Sequence, residues 1–285
     1  MIPEEIKTCL IDNYGELQSF TPASGGCINN GGTAKCKSQE LFLKWNSASL
    51  YPGMFAAEAK GLNLLRKSEL IVPEVLEVIN GQTYEALILE NIRSGGQNKN
   101  TMEKFGGQLA QMHRITQKKY GLDHDNYMGS LKQYNKPHEN WIEFYIAQRL
   151  EPQLEIAVKK GLADLQLQMK FEKLYKLLPK LLVIEQPSLV HGDLWSGNYM
   201  INSDGNAVLI DPAVTFANRE VDLAMTKLFG GFSQEFYSGY EAEYPTEKGL
   251  NERLDIYNLY PLLIHLNLFG SSYRSQIISI LNYFI

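Results

Sequence analysis

The 285-residue chain has no apolar run approaching the roughly 18 to 20 residues needed to span a membrane. It is poor in cysteine. Cys9, Cys27 and Cys36 are odd in number and widely spaced, which excludes a disulfide framework and a zinc site built from cysteine pairs, and fits a reducing compartment. Positive charge is not in excess. With 27 Lys and Arg against 32 Asp and Glu, net −5, neither nucleic acid nor an anionic membrane is expected as the main partner. The opening Met1-Ile2-Pro3-Glu4-Glu5 does not read as a signal peptide, so the expected location is cytoplasmic. Internal repeats and low-complexity tracts are missing as well. What remains is ordinary globular material, whose 44% hydrophobic content can fill a core in each of two lobes.

One stretch carries chemistry: His191-Gly192-Asp193-Leu194-Trp195-Ser196-Gly197-Asn198, then a hairpin ending at Asp211-Pro212-Ala213. Asp204-Gly205 between two apolar runs is a turn signal, and a turn centred there predicts that Asn198 and Asp211 face each other across the ladder. Directly opposed residues have Cβ atoms roughly 4.5–5.5 Å apart, so an amide oxygen and a carboxylate would form an oxygen-rich pair suited to Mg²⁺. Asp193 stands apart as a second carboxylate. Catalytic Asp, Asn five residues on, then a later metal-holding Asp is the order found in protein kinases.

Such a site needs upstream parts. Leu41 to Trp45 reads as a strand with Lys44 and Phe42 on one face, opposite Leu41, Leu43 and Trp45. Phe55 to Leu65 reads as a helix whose Phe55, Glu58, Leu62 and Leu65 share a face. A carboxylate there needs a cation, and Lys44 is the natural partner, forming the pair that positions ATP phosphates in kinases. Ahead of the strand, Gly25-Gly26-Cys27-Ile28-Asn29-Asn30-Gly31-Gly32 lacks the spacing of a Walker loop but permits close backbone approach to a polyphosphate. Cys27 is there either a redox switch, and a candidate link for a redox-linked dimer, or an inert turn residue. Tyr84 to Ile92 reads as a buried strand running into polar, glycine-bearing sequence, which places a domain boundary between 92 and 93. In a bilobal kinase the backbone of Glu90, Asn91 and Ile92 would meet adenine.

The second lobe reads as mainly helical. Asn100 is expected to cap a helix with Phe105, Leu109 and Met112 inward, and with His113 and Arg114 placed as cations at its end. Pro152 should kink or end a helix over 141–160, and 165–182 forms another. Asp211 is followed by Pro-Ala rather than Phe-Gly, and too few residues separate Ala213 from Val221 for a regulated activation segment. A small or flexible acceptor is therefore favoured.

His191 to Asn198, Asp211-Pro212-Ala213, Arg219 to Met225, Leu228-Phe229-Gly230-Gly231-Phe232 and Leu262 to Gly270 together resemble the fructosamine kinase (ketosamine-3-kinase) family. That resemblance implies an α+β, bilobal protein-kinase-like fold with an antiparallel-sheet amino-terminal lobe and a mainly helical carboxy-terminal lobe. It implies ATP-dependent phosphorylation of the sugar 3-hydroxyl of a ketoamine, free or protein-bound, and deglycation as the phosphate decomposes. It matches Asp193 to the catalytic base, Asn198 and Asp211 to metal ligands, Lys44 and Glu58 to the phosphate-positioning pair, and Cys27 to the phosphate-loop cysteine. Trp195 either stacks on the sugar or is structural, and Asp222 is expected to brace the catalytic loop. A kinase of the aminoglycoside phosphotransferase type and a nucleotide-binding pseudokinase are the competing readings; sugar length and oligomeric state stay open.

Overall fold

The computed structural model describes residues 2–23, 29–98 and 100–285. Gly25, Gly26, Cys27 and Ile28 lie outside the described residues. The chain starts with α1 (Glu4–Tyr14), β1 (Leu17–Pro22), β2 (Asn30–Cys36), β3 (Glu40–Ser47), α2 (Met54–Leu65), β4 (Val75–Asn80) and β5 (Tyr84–Glu90). These strands form one antiparallel sheet in the order β1-β2-β3-β5-β4. Alternation along β3 and β5 splits their side chains between two cores. Leu41, Leu43, Trp45, Ala86 and Ile88 pack with Ile6 and Leu10 of α1, whereas Leu87 and Leu89 join Phe55, Leu62 and Leu65 of α2. The α2 cluster continues without a break into the core of the helical region, so α2 is the element both halves share.

The rest is mostly helical: α3 (Thr101–His113), β6 (Asn126–Met128), β7 (Leu131–Gln133), α4 (Trp141–Tyr145), α5 (Glu151–Lys159), α6 (Leu165–Leu181), β8 (Ser188–Val190), β9 (Tyr199–Ile201), β10 (Ala207–Leu209), β11 (Thr215–Ala217), α7 (Glu220–Leu228), α8 (Gln234–Glu243), α9 (Leu250–Phe269) and α10 (Arg274–Phe284). No helix among the described residues is long and apolar enough to cross a membrane.

Proline effects are absorbed locally. Pro152 neither ends nor breaks its helix; a π-helical turn at Ile146–Leu150 precedes it, and the Gln148 carbonyl left without an i+4 donor accepts from Arg149 Nη1 at 3.0 Å. Pro261 within α9 likewise frees the Tyr257 carbonyl, which accepts from the Tyr145 hydroxyl at 3.1 Å. Two other expectations need correction. Asn100 flanks α3 without a side-chain cap, while the Thr101 hydroxyl accepts from Asn98 N and donates to the Gly205 carbonyl. His113 does not lie on the surface at the helix end but is fully buried between α3 and its neighbours. Helices α3 and α8 approach through Gly106 and Gly239: a Cβ at Gly106 would stand 1.9 Å from the Phe236 carbonyl oxygen.

Candidate active site

The hairpin of β9 and β10 carries the segment between Asn198 and Asp211, and its register differs from the expected one. Tyr199 pairs with Leu209, Met200 with Val208 and Ile201 with Ala207, so the position facing Asn198 is Ile210, whose N–H donates to the Asn198 carbonyl at 3.0 Å. The cause is the turn. Asn202 N–H donates to the Asn206 carbonyl, and the Asn202 side chain accepts from both Asp204 N and Asn206 N, stabilising a three-residue loop centred on Asp204 in place of a two-residue Asp-Gly turn. Asp211 lies beyond the ladder with φ +53, the single positive φ of a non-glycine residue among the described residues. Asn198 and Asp211 still meet, through backbone: Asn198 Nδ2 lies 3.5 Å from the Asp211 carbonyl oxygen.

The loop between β8 and β9 is held from below. Asp222 of α7, fully buried, accepts from His191 N at 2.7 Å and Gly192 N at 2.8 Å. Its Oδ2 also faces His113 Nε2 at 3.2 Å, and His113 Nδ1 faces the Tyr240 hydroxyl at 2.8 Å. Three donors on one carboxylate offset the cost of burying it. Burial lowers the His191 pKa and keeps that ring neutral. Nε2–H donates to the Ile210 carbonyl at 3.0 Å, which leaves Nδ1 to accept from Asp193 N at 3.3 Å. Gly192 has φ +85, and a Cβ there would stand 2.1 Å from the Ala213 carbonyl oxygen, so the sharp turn that presents Asp193 requires glycine.

Asp193 is oriented by Asn198, whose Nδ2 donates to the Asp193 carbonyl at 2.8 Å and to Oδ2 at 3.0 Å. Burial pushes the Asp193 carboxyl up to about 7; Asn198 opposes the shift, and the negative charges of Asp211 and Asp222 add to it. A carboxylate poised near neutrality suits a general base.

Lys44 lies on the face of β3 that meets α2, and its Nζ donates to Glu58 Oε1 at 2.6 Å and to Asp211 Oδ1. Burial alone would lower the lysine's pKa, but the two carboxylates hold it above its ordinary value, so Lys44 stays charged. Helix α2 that carries Glu58 is anchored at its start by a residue without a role in the sequence reading. Glu85 of β5 accepts the Gly53 N–H with both oxygens, at 2.9 and 3.0 Å, capping a helix with no capping side chain of its own. Across the cleft, the Tyr127 hydroxyl donates to the Pro52 carbonyl at 3.0 Å.

The structure thus brings together Lys44, Glu58 and Asp211 on one side and Asp193 with Asn198 on the other. Trp195 sits at the edge, 38% exposed. Glu90 ends β5, and the Thr33 hydroxyl donates to Asn91 Oδ1 at 3.3 Å, tying the segment after β5 to β2. Among the described residues no group of three or more His, Cys, Asp or Glu side chains could hold a metal alone. One carboxylate and one amide oxygen fit Mg²⁺ instead, which takes one or two protein ligands and completes its shell with phosphate oxygens and water.

The family model described as fructosamine kinase matches residues 3–285. A "Probable ketoamine kinase" of Enterococcus faecium is 39% identical over 270 residues, covering 92% of this chain and 94% of the relative. The chloroplastic protein-ribulosamine 3-kinase of Arabidopsis thaliana is 37% identical over 275 residues, covering 94% of this chain and 82% of the relative. A solved structure assigned to the fructosamine-3-kinases, from Thermobifida fusca, superposes with a TM-score of 0.89 at 30% identity, covering 99% of this chain and 98% of that one. An aminoglycoside phosphotransferase superposes at 0.66 with 14% identity, covering 98% of both chains, and so shares the protein-kinase-like fold alone.

Proposed function

The chain belongs to the fructosamine kinase family, and from that premise we propose that it transfers the γ-phosphoryl group of ATP to the 3-hydroxyl of a ketoamine, free or protein-bound. The resulting 3-phosphate decomposes and frees the amine, which makes the activity a deglycation. The observation that carries this reading is the pairing of a near-neutral Asp193, aimed by Asn198, with a charged Lys44 held between Glu58 and Asp211.

Asp193 orients the acceptor hydroxyl and takes its proton as the oxygen attacks in line. Lys44 meets the phosphates and stabilises the charge that grows on the transferring group. Asn198 and Asp211 would hold Mg²⁺, which would supply further positive charge against the same developing negative charge. Trp195 offers a ring face to the sugar. Residues 1–92 form the nucleotide-binding lobe and 93–285 the catalytic and substrate lobe, with the backbone of Glu90, Asn91 and Ile92 meeting adenine and Gly25, Gly26, Cys27 and Ile28 covering the phosphates. The protein works in the cytoplasm. Cys27 is the residue through which oxidation would link a dimer, which non-reducing gels before and after thiol oxidation would reveal.

The test is a panel of defined acceptors offered with Mg-ATP: ribulosamines, erythrulosamines, fructosamines and aminoglycosides. ADP release is expected with the ketoamines. Release with aminoglycosides alone would replace this reading by the aminoglycoside one, and nucleotide binding without release would point to a pseudokinase.

A further inference from the structure

A strip of aromatic rings leads away from the catalytic loop. Trp195 stands 6.3 Å from Phe229, Phe229 is 5.0 Å from His265, and His265 is 5.4 Å from Phe269 and 5.1 Å from Tyr273, ring centre to ring centre. Phe229 is 43% exposed and Phe269 51%, so with Trp195 three large rings of this contact chain meet solvent. Scattered exposed rings need no explanation, but a contiguous run at an active-site mouth does.

The strip is built rather than loose. Gly230 and Gly231, with φ +71 and +94, reverse the chain between Phe229 and Phe232. Phe232 turns inward onto Phe105, Tyr199 and Phe236, while Phe229 turns outward to Trp195. The Tyr199 hydroxyl donates to the Gly231 carbonyl at 3.2 Å, and a Cβ at Gly231 would stand 2.4 Å from Ser196 Cβ, so this segment is seated against the catalytic loop. His265 donates Nδ1–H to the Pro261 carbonyl at 2.7 Å, and burial keeps the ring neutral. The strip thus presents exposed aromatic rings and an uncharged imidazole. Rings held in place before binding lose little freedom when a ligand arrives.

We propose that Phe229 and Phe269 form the subsite for the amine end of the ketoamine, receiving the protonated secondary amine and the alkyl stem of a lysine carrier. This rests on the ketoamine reading. The reacting hydroxyl belongs at Asp193 and the sugar at Trp195; continuing outward, the substrate next offers an ammonium and then methylenes. Ring faces attract the ammonium through their quadrupoles and bury the methylenes against carbon. The strip therefore selects for the carrier, whereas the residues around Asp193 select for the sugar. It favours lysine-borne ketoamines over ketoamines of a minimal amine.

The experiment compares kcat/KM for one ketosugar carried on Nα-acetyl-lysine amide with the same ketosugar on methylamine. The lysine form is expected to be preferred by the natural enzyme. Phe229→Ala should cut that preference about fivefold, and Phe229→Ala with Phe269→Ala about tenfold or more, chiefly through KM, as exposed cation–ring contacts allow. Phe229→Leu, which keeps bulk without the ring face, should fall between. An unchanged ratio, or equal losses on both acceptors, would overturn the subsite. Turnover of neither ketoamine would overturn the subsite and the kinase reading together, so the two failures are distinguishable.

Discussion

Asp193→Asn should abolish turnover and yet stabilise the nucleotide-free protein. The Asp193 carboxyl is raised to about 7 in the folded chain, chiefly by burial, against an ordinary value near 3.8. At about 1.36 kcal/mol per pH unit, that shift caps the penalty for keeping a charged Asp193 folded at about 4 kcal/mol. Solvent in the open cleft relaxes much of it, which leaves about 1–2 kcal/mol as the working figure. Asparagine keeps an oxygen for the Asn198 Nδ2 bond and carries no charge. With roughly 2–4 °C per kcal/mol for a chain near this size, Tm should rise by about 2–8 °C at pH 8. The pH dependence is the sharper test. Between about 4 and 7 the folded protein holds a proton on Asp193 that the unfolded chain has lost, so the natural protein's disadvantage grows as pH rises through that window and levels off above it. Calorimetry of both proteins in EDTA without nucleotide, from pH 5 to 8.5, measures the difference. A variant less stable than the natural protein at pH 8, or a gap that does not widen with pH, would refute the electrostatic argument.

Lys44→Met should destabilise by about 3–5 kcal/mol because it strands the buried Glu58 carboxylate, and a second change, Glu58→Gln, should recover part of that loss in urea denaturation; no recovery would mean the pair is not coupled as its 2.6 Å contact implies. Asp222→Asn places an amide against the His191 and Gly192 N–H donors, so stability should fall by about 1–3 kcal/mol and kcat should drop more than the KM for ATP; equal losses in both would argue against a bracing role. Gly106→Ala forces a Cβ into the Phe236 carbonyl and should cost about 3 kcal/mol or more, whereas Gly96→Ala, with open space around it, should be near neutral. Thermal melts of the two alanine variants compare them directly.

The Lys44–Glu58 ion pair was legible because two short-range rules fix it. Period two puts Lys44 opposite Leu41, Leu43 and Trp45, and period 3.6 puts Glu58 beside Phe55 and Leu62, so both side chains point into the space between sheet and helix. The hairpin was legible only to within one residue. Whether an Asp-Gly loop holds two residues or three depended on Asn202, whose side chain accepts from two loop amides, and that one-residue difference moves Asp211 off the ladder. Position in sequence misled for His113, since a histidine in a last helical turn suits the dipole, while its partners Asp222 and Tyr240 lie more than a hundred residues on. Glu85 gave a faint signal in retrospect: α2 opens after Pro52-Gly53 with no side chain able to cap it, so the cap had to come from elsewhere. The aromatic strip gave none, because Trp195, Phe229 and Phe269 come from three separate segments that only the fold aligns.

The most direct measurement is phosphorus NMR of a defined ketoamine incubated with Mg-ATP and either the natural protein or Asp193→Asn. A sugar phosphate ester at the 3-position, followed by release of the free amine, is predicted for the natural protein, with no ester above background for the variant. Absence of any ester from the natural protein, or an ester formed equally well by Asp193→Asn, would contradict ketoamine phosphorylation with Asp193 as its base.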